Sequence, residues 1–485
     1  MNGLAPENPN PNQLADALRD LVAADGGAIR RELTDLVAFP SVHGEEDKEE
    51  ACRAAASYVQ DAFAAAGVDL DAHVTVDGSI ALTGHRPASG PNAASAPTVL
   101  LYSHYDVVPA GPVQEWTADP WTLTERDGRW YGRGTADCKG NLVMHLAALR
   151  ALAALDASAG APGADADVPS ATTTPIDLPN IRVIVEGSEE RGSAGLDDLI
   201  RTRPELFEAD AILIADAGNV AVGTPTLVTT LRGSADVDVR IDTLAGPVHS
   251  GLFGGAAPDA LQALVALLAT LHDEHGRLSI DGLDSSQRWE GAPYAEDSFR
   301  ADAGVLPDAE LLSDDASAAS VADLVWSRPA AIVTGIDCPP ATNAVNAVPP
   351  TASAHINLRV PPGTDPKEAQ AALIAHLENH VRPGVRVTIT PDVTAAPFAA
   401  NVEGRVVKHL EECLGAAYGE PALRTGMGGS IPLCATLLGA FPDADLALFG
   451  VEEPLSRIHS ADESVDPREI RDIAVAEALF LATIR

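Results

Sequence analysis

Five separated segments each place an acidic residue or a histidine where a strand runs out. They are Thr98-Val-Leu-Leu-Tyr-Ser-His104-Tyr-Asp106, Gly132-Arg-Gly-Thr-Ala-Asp137-Cys-Lys-Gly140, Val183-Ile-Val-Glu-Gly-Ser-Glu189-Glu190, Ala211-Ile-Leu-Ile-Ala-Asp216 and Ser456-Arg-Ile-His459-Ser. Sites in open α/β sheets form at the carboxyl ends of the strands. A chain that repeats this arrangement is therefore constrained to bring these groups together. Two histidines and three acids, with one glutamate to spare, match the ligand demand of a dinuclear metal site.

Alternation of apolar strands with amphipathic helices predicts a doubly wound α/β sheet. Periodicity places helices at 13–38, 45–66, 140–155 and 194–202, and strands at 69–76, 79–84, 98–103, 181–186 and 211–215. The texture changes near Thr229. A strand at 232–242, a helix at 258–273, strands at 330–335 and 352–360, a helix at 366–379 and a strand at 385–391 follow. That β-α-β-β-α-β order reads as an inserted ferredoxin-like α+β domain. A helix at 402–416, a strand at 444–449 and a helix at 466–482 return to the first pattern. The expected division is 1–228 and 394–485 for a mixed-sheet catalytic domain, and 229–393 for the insert. Residues 156–179 have a low-complexity composition that reads as a surface insertion, and 280–328 are acidic and irregular.

With 485 residues, two domains are the default. A net charge of −38 argues against nucleic acid or an anionic membrane as partner. The five cysteines are scattered with no C-x-x-C pair, which suits reduced thiols in a cytoplasmic protein. The start of the chain shows no signal-peptide pattern, and the apolar run at 261–271 is too short to span a bilayer.

His104 and Asp106 are two apart on a strand and share a face, so Asp106 is a candidate orienter of the His104 ring. Asp137 sits in a Gly-rich turn before a helix. The bland reading is an N-cap, but its two carboxylate oxygens can also bridge two cations. Glu189 and Glu190 are adjacent, so one can bind metal while the other faces an attacking water. Two like charges at a cleft need a compensating cation. Asp216 and His459 alone read as structural; their weight comes from completing the set. His145, His272, His275 and His409 fall in helical patterns and read as non-ligands.

In order along the chain stand Ser103-His-Tyr-Asp-Val-Val-Pro109, Trp116-Thr-Ala-Asp-Pro-Trp121, Asp127-Gly, Tyr131-Gly-Arg-Gly134 and Asp137-Cys-Lys-Gly140. This series resembles the metallopeptidase family of carnosinase-like dipeptidases, glutamate carboxypeptidases, aminoacylases and succinyl-diaminopimelate desuccinylase. The resemblance implies that His104 and Asp216 hold one metal, Glu190 and His459 the other, with Asp137 between them and Glu189 as general base. It implies a cis Asp137–Cys138 peptide; cysteine departs from the commoner Asp or Met here, and its side chain is expected to point away from the metals, with a thiolate ligand as the alternative.

It further implies that His249, in Gly246-Pro-Val-His249-Ser-Gly251, supports the oxyanion from a partner subunit of a homodimer formed through the insert. Arg359, whose guanidinium fork suits a carboxylate, and the Gly428-Gly429-Ser430-Ile431-Pro432 loop would hold the substrate's C-terminal carboxylate. Asn346 is a weaker polar contact. The metals would be zinc, with manganese or cobalt as alternatives. Chain length, Asp216 and the Gly-Gly-Ser-Ile-Pro loop favour a dipeptidase. An N-acyl-amino-acid deacylase is the alternative, and a metal-free scaffold is disfavoured by the complete ligand set.

Overall fold

A computed structural model describes residues 11–159, 176–312, 318–342 and 344–485. The chain divides into two compact units. One comprises residues up to Thr229 with Ala400–Thr425 and Thr436–Arg485; the other comprises Thr230–Ala399 and Gly426–Ala435.

In the first unit, strands lie side by side in the order Leu70–Val74, Ile80–Arg86, Asn180–Glu186, Thr98–His104, Ala211–Ala215, Asp445–Phe449 and Thr226–Leu231. The four from Asn180–Glu186 to Asp445–Phe449 are mutually parallel, and the flanking pairings are antiparallel. This is the expected mixed sheet. Strand Thr98–His104 is buried from Val99 onward, as its Val-Leu-Leu-Tyr core requires of a strand covered on both faces. Its successors in the chain lie on opposite sides of it, Asn180–Glu186 on one and Ala211–Ala215 on the other. The crossovers diverge there, which leaves a crevice beyond His104. The long helix Lys139–Ala159 packs with Pro11–Ala24, Gly26–Val37 and Pro467–Thr483. Its Leu142, Val143, Leu149 and Leu152 are fully buried, which fixes the helix start, and with it Asp137, to the core.

In the second unit, strands Ala330–Asp337, Thr351–Val360, Gly233–Asp242 and Arg386–Ala395 form one antiparallel sheet in that order. With helices Ala260–Leu268 and Pro366–His380, this is the ferredoxin-like order expected. Burial alternates strictly along Thr351–Val360, so Ile356 and Leu358 face the helices while His355 and Arg359 share the other face.

Several expectations need adjustment. The helix expected at 13–38 breaks at Asp25, where Gly26-Gly27 weakens helical continuity. The helix expected at 45–66 opens as a 3₁₀ turn, Glu46–Lys48, before Glu49–Ala65. Helix Lys139–Ala159 runs past the expected start of the insertion at 156; the stretch 160–175 lies outside the described residues. Segment Gly426–Ala435, expected with the first domain, groups with the second unit. The irregular stretch 280–328 contains a short helix, Glu296–Asp302, and a helical turn, Asp323–Ser327. Strands Thr226–Leu231 and Leu423–Met427 and helix Pro432–Ala440 went unread in the sequence. No helix among the described residues is long and apolar enough to cross a membrane.

Candidate active site

Seven of the residues singled out in the sequence meet in the first unit. His104 ends its strand fully buried, and its Nε2 lies 3.1 Å from Asp216 Oδ1 and 3.2 Å from Asp137 Oδ1. The second oxygen of Asp137 lies 3.0 Å from His459 Nε2, which is also 3.2 Å from Glu190 Oε2. Asp137 thus has one oxygen in each of two ligand clusters. The peptide between Asp137 and Cys138 is cis, as expected.

Asp106 is fully buried and performs two tasks. Its Oδ1 lies 3.3 Å from His104 Nδ1, which fixes the ring. Its two oxygens also accept the backbone N–H groups of Glu189 and Glu190, at 3.1 Å each. The 3₁₀ turn Glu189–Arg191 is thereby held by the same carboxylate that aims His104. The Glu189 carboxylate itself makes no hydrogen bond among the described residues and is left available for a proton.

The cluster is crowded with acids. Oxygens of Asp137, Asp216 and Glu452 lie within 4.8 Å of one another. Glu190 Oε1 is buried with no hydrogen-bond partner. Burial and then Asp216 push Glu189 well above the usual carboxylate range, and burial with Asp137 does the same to Glu452. Burial works against Asp137 too, but hydrogen bonds from His104 and His459 hold its carboxyl well below that range. Those to Asp137 and Glu190 raise His459 to about 10. Acids crowded this closely hold protons on their histidines, and a divalent cation displaces such protons. The orphan oxygen and the mixed nitrogen and oxygen donors fit divalent metal ions.

Cys138 corrects an expectation. Its sulfur lies beside the His104 and Asp216 ligand atoms rather than away from them. Burial pushes its thiol up to about 12, and Sγ donates to the Ala215 carbonyl at 3.1 Å, so it stands there as a neutral thiol.

The candidate oxyanion and substrate-binding residues all lie in the second unit. His249 caps a short helix, with Nδ1 accepting from Gly251 N–H at 3.1 Å. The Asn346 carbonyl accepts from Ser250 N–H at 2.9 Å, so Asn346 and His249 belong to neighbouring chain segments. Arg359 projects from strand Thr351–Val360, and Gly429 and Ser430 precede helix Pro432–Ala440.

Two glutamates escaped the sequence reading. Glu452 follows the strand Asp445–Phe449 and joins Asp137 and Asp216. Glu463, fully buried, accepts N–H groups from Gly134 at 2.9 Å, Ala136 at 3.0 Å and Asp137 at 3.1 Å, and Arg133 Nη1 at 2.6 Å. It shapes the turn that presents Asp137. Its only sequence signal was proximity to His459. Glu463→Ala would strand buried Arg133 and three N–H groups; the expected result is a loss of about 3–5 kcal/mol in chemical unfolding, with weaker metal binding.

Comparison with known proteins identifies the family. The model of peptidase family M20/M25/M40 matches residues 100–160, and that of the peptidase dimerisation domain matches 229–385. A cysteinylglycine-S-conjugate dipeptidase of Corynebacterium striatum is 45% identical over 459 residues, 94% of this chain and 95% of that protein. The Cys-Gly metallodipeptidase DUG1 of Saccharomyces cerevisiae is 26% identical over 77% of this chain and 76% of its own. Human carnosine dipeptidase 1 shares the fold at a TM-score of 0.76 and 21% identity, covering 97% of this chain and 98% of that one. The Saccharomyces cerevisiae di-peptidase Dug1p does so at 0.75 and 20%, covering 98% and 100%. Similarity to the Corynebacterium relative runs almost end to end, and the chain belongs to peptidase family M20/M25/M40.

Proposed function

We propose that this chain is a metal-dependent dipeptidase with two divalent cations, zinc foremost and manganese or cobalt as alternatives. The observation that supports this most is Asp137, with one oxygen beside His104 and Asp216 and the other beside His459 and Glu190. When bound, the cations supply Lewis-acid activation of a water and of the scissile carbonyl. Glu189 takes the water's proton and returns it to the leaving amine. Asp106 keeps the His104 ring and the Glu189–Glu190 amides in place. Arg359 and the Gly429–Ser430 backbone hold the substrate's free carboxylate, and Asn346 adds a polar contact. His249 supports the oxyanion of a partner subunit's substrate in a homodimer, a reading supported by the match to a dimerisation domain.

The Corynebacterium relative's name favours cysteinylglycine and its S-conjugates as substrates. The five free cysteines suit a reducing cytoplasm.

The test strips metal from the protein and adds back Zn²⁺, Mn²⁺ or Co²⁺. Release of amino acids is then followed from cysteinylglycine, other free-amine dipeptides and N-acetyl amino acids. Metal-restored cleavage of the dipeptides is expected. Cleavage confined to the acylated compounds would replace this reading with a deacylase.

A further inference from the structure

The second unit holds an open cavity of about 450 Å³, well inside the range of small-molecule pockets, about 300–1,000 Å³. Its wall is mainly apolar, with Leu278, Phe299, Val305, Leu324 and Ala331 among the lining residues. One member of that wall does not fit an apolar cavity. Arg232 is buried, with 7% of its surface exposed. Its Nε donates to the Gly428 carbonyl at 3.3 Å, and its Nη1 to the Leu324 and Arg328 carbonyls at 3.3 and 3.2 Å. These partners satisfy N–H groups but carry no net charge. Among the described residues no carboxylate pairs with Arg232. Burial, and then the like charge of Arg359, lower its pKa only to about 10, so it remains a cation at neutral pH.

Of the other charged groups of the wall, Arg277 pairs with Asp273 and Glu310 is exposed, while Arg328, also buried, donates Nε to the Gln287 carbonyl at 2.9 Å and brings a second guanidinium to the cavity. A buried charge without a counter-ion is costly. Among the described residues nothing supplies Arg232 with that counter-ion, and an anion small enough to share the cavity with an apolar body would supply it.

We propose that this cavity binds a small monocarboxylate with an apolar tail. Its carboxylate engages the Arg232 guanidinium, and its tail lies against Phe299, Val305 and Leu324. Arg232 also ties the cavity to the glycine loop, since its backbone N–H donates to the Met427 carbonyl at 3.3 Å and its guanidinium to Gly428. Any link between occupancy and turnover rests on the assignment of that loop to substrate binding; the cavity's own affinity does not.

Octanoate titrated into the metal-loaded enzyme, followed by calorimetry and tryptophan fluorescence, tests the proposal. Saturable binding is expected, with octanol, equal in length but uncharged, at least about tenfold weaker. Arg232→Met should erase that preference. Ile332→Trp, at a wall position 46% exposed and so of little consequence for folding, should weaken both ligands. Absence of saturable binding, equal affinity for octanoate and octanol, or indifference to both variants would each overturn the proposal. Because binding is read directly, such a failure is separate from any failure to cleave dipeptides. Given binding, competition with a dipeptide substrate shows that the cavity is coupled to the substrate site through the Gly428 loop. Binding without competition identifies a separate carboxylate.

Discussion

Glu189→Gln should retain its full complement of metal yet lose about 10²–10⁴-fold in kcat. Gln has nearly the same shape but cannot accept the water's proton. The Glu189 backbone N–H still meets Asp106 in the variant, so the turn that carries Glu190 keeps its geometry. KM should move little, because Glu189 is not assigned a substrate contact. Elemental analysis beside steady-state kinetics separates the two roles this residue could have. Parallel loss of metal and activity would make Glu189 a ligand and return the general base to the search. The adjacent Glu190 should behave in the opposite way. Its Oε1 is buried without a partner and its Oε2 lies 3.2 Å from His459, so Glu190→Gln should fail first in metal content.

Asp137→Ala is the more destructive change. It removes one oxygen from the cluster of His104 and Asp216 and the other from that of His459 and Glu190. Metal content should fall for both cations together, and activity should fall beyond the ~10⁴-fold ceiling of a lost general base. His459→Ala, which touches only one cluster, should spare part of the metal. Equal losses in the two variants would show that the cations bind as a single unit. Retention of all metal by Asp137→Ala would contradict the bridging role. Folding should survive in Asp137→Ala, since the turn is built by Glu463 on backbone N–H groups that the substitution leaves in place.

The elements that carry the site were legible because their signals are local. Val99 to Tyr102 and Ala211 to Ala215 are apolar runs of strand length, and their ends state where the ligands fall. Long helices such as Pro467–Thr483 announced themselves by period. What stayed hidden depends on distant partners. Strand Thr226–Leu231 has a Thr-rich sequence that becomes a strand through its neighbours in the sheet. Helix Pro432–Ala440 follows a glycine loop that masks its start. Glu452 acquires meaning only when Asp137 and Asp216 arrive from elsewhere in the chain, and Glu463 only when it meets the turn at Arg133, 330 residues away in sequence. The place of the Cys138 thiol beside His104 and Asp216 likewise depends on partners distant in sequence.

Glu463 and His459 have a consequence in time as well as in space. Every other group of the two ligand clusters except Glu452 is in place by Asp216, but the clasp on the Asp137 turn and the histidine of the second cluster come from the last stretch of the chain. Translation runs from the other end, and domains fold as their residues emerge. On the proposed ligand assignment, a nascent chain that has passed Asp216 carries the acidic groups without His459. On the proposed roles of His459 and Glu463, a nascent chain is not expected to cleave a peptide bond before residue 463 has been made.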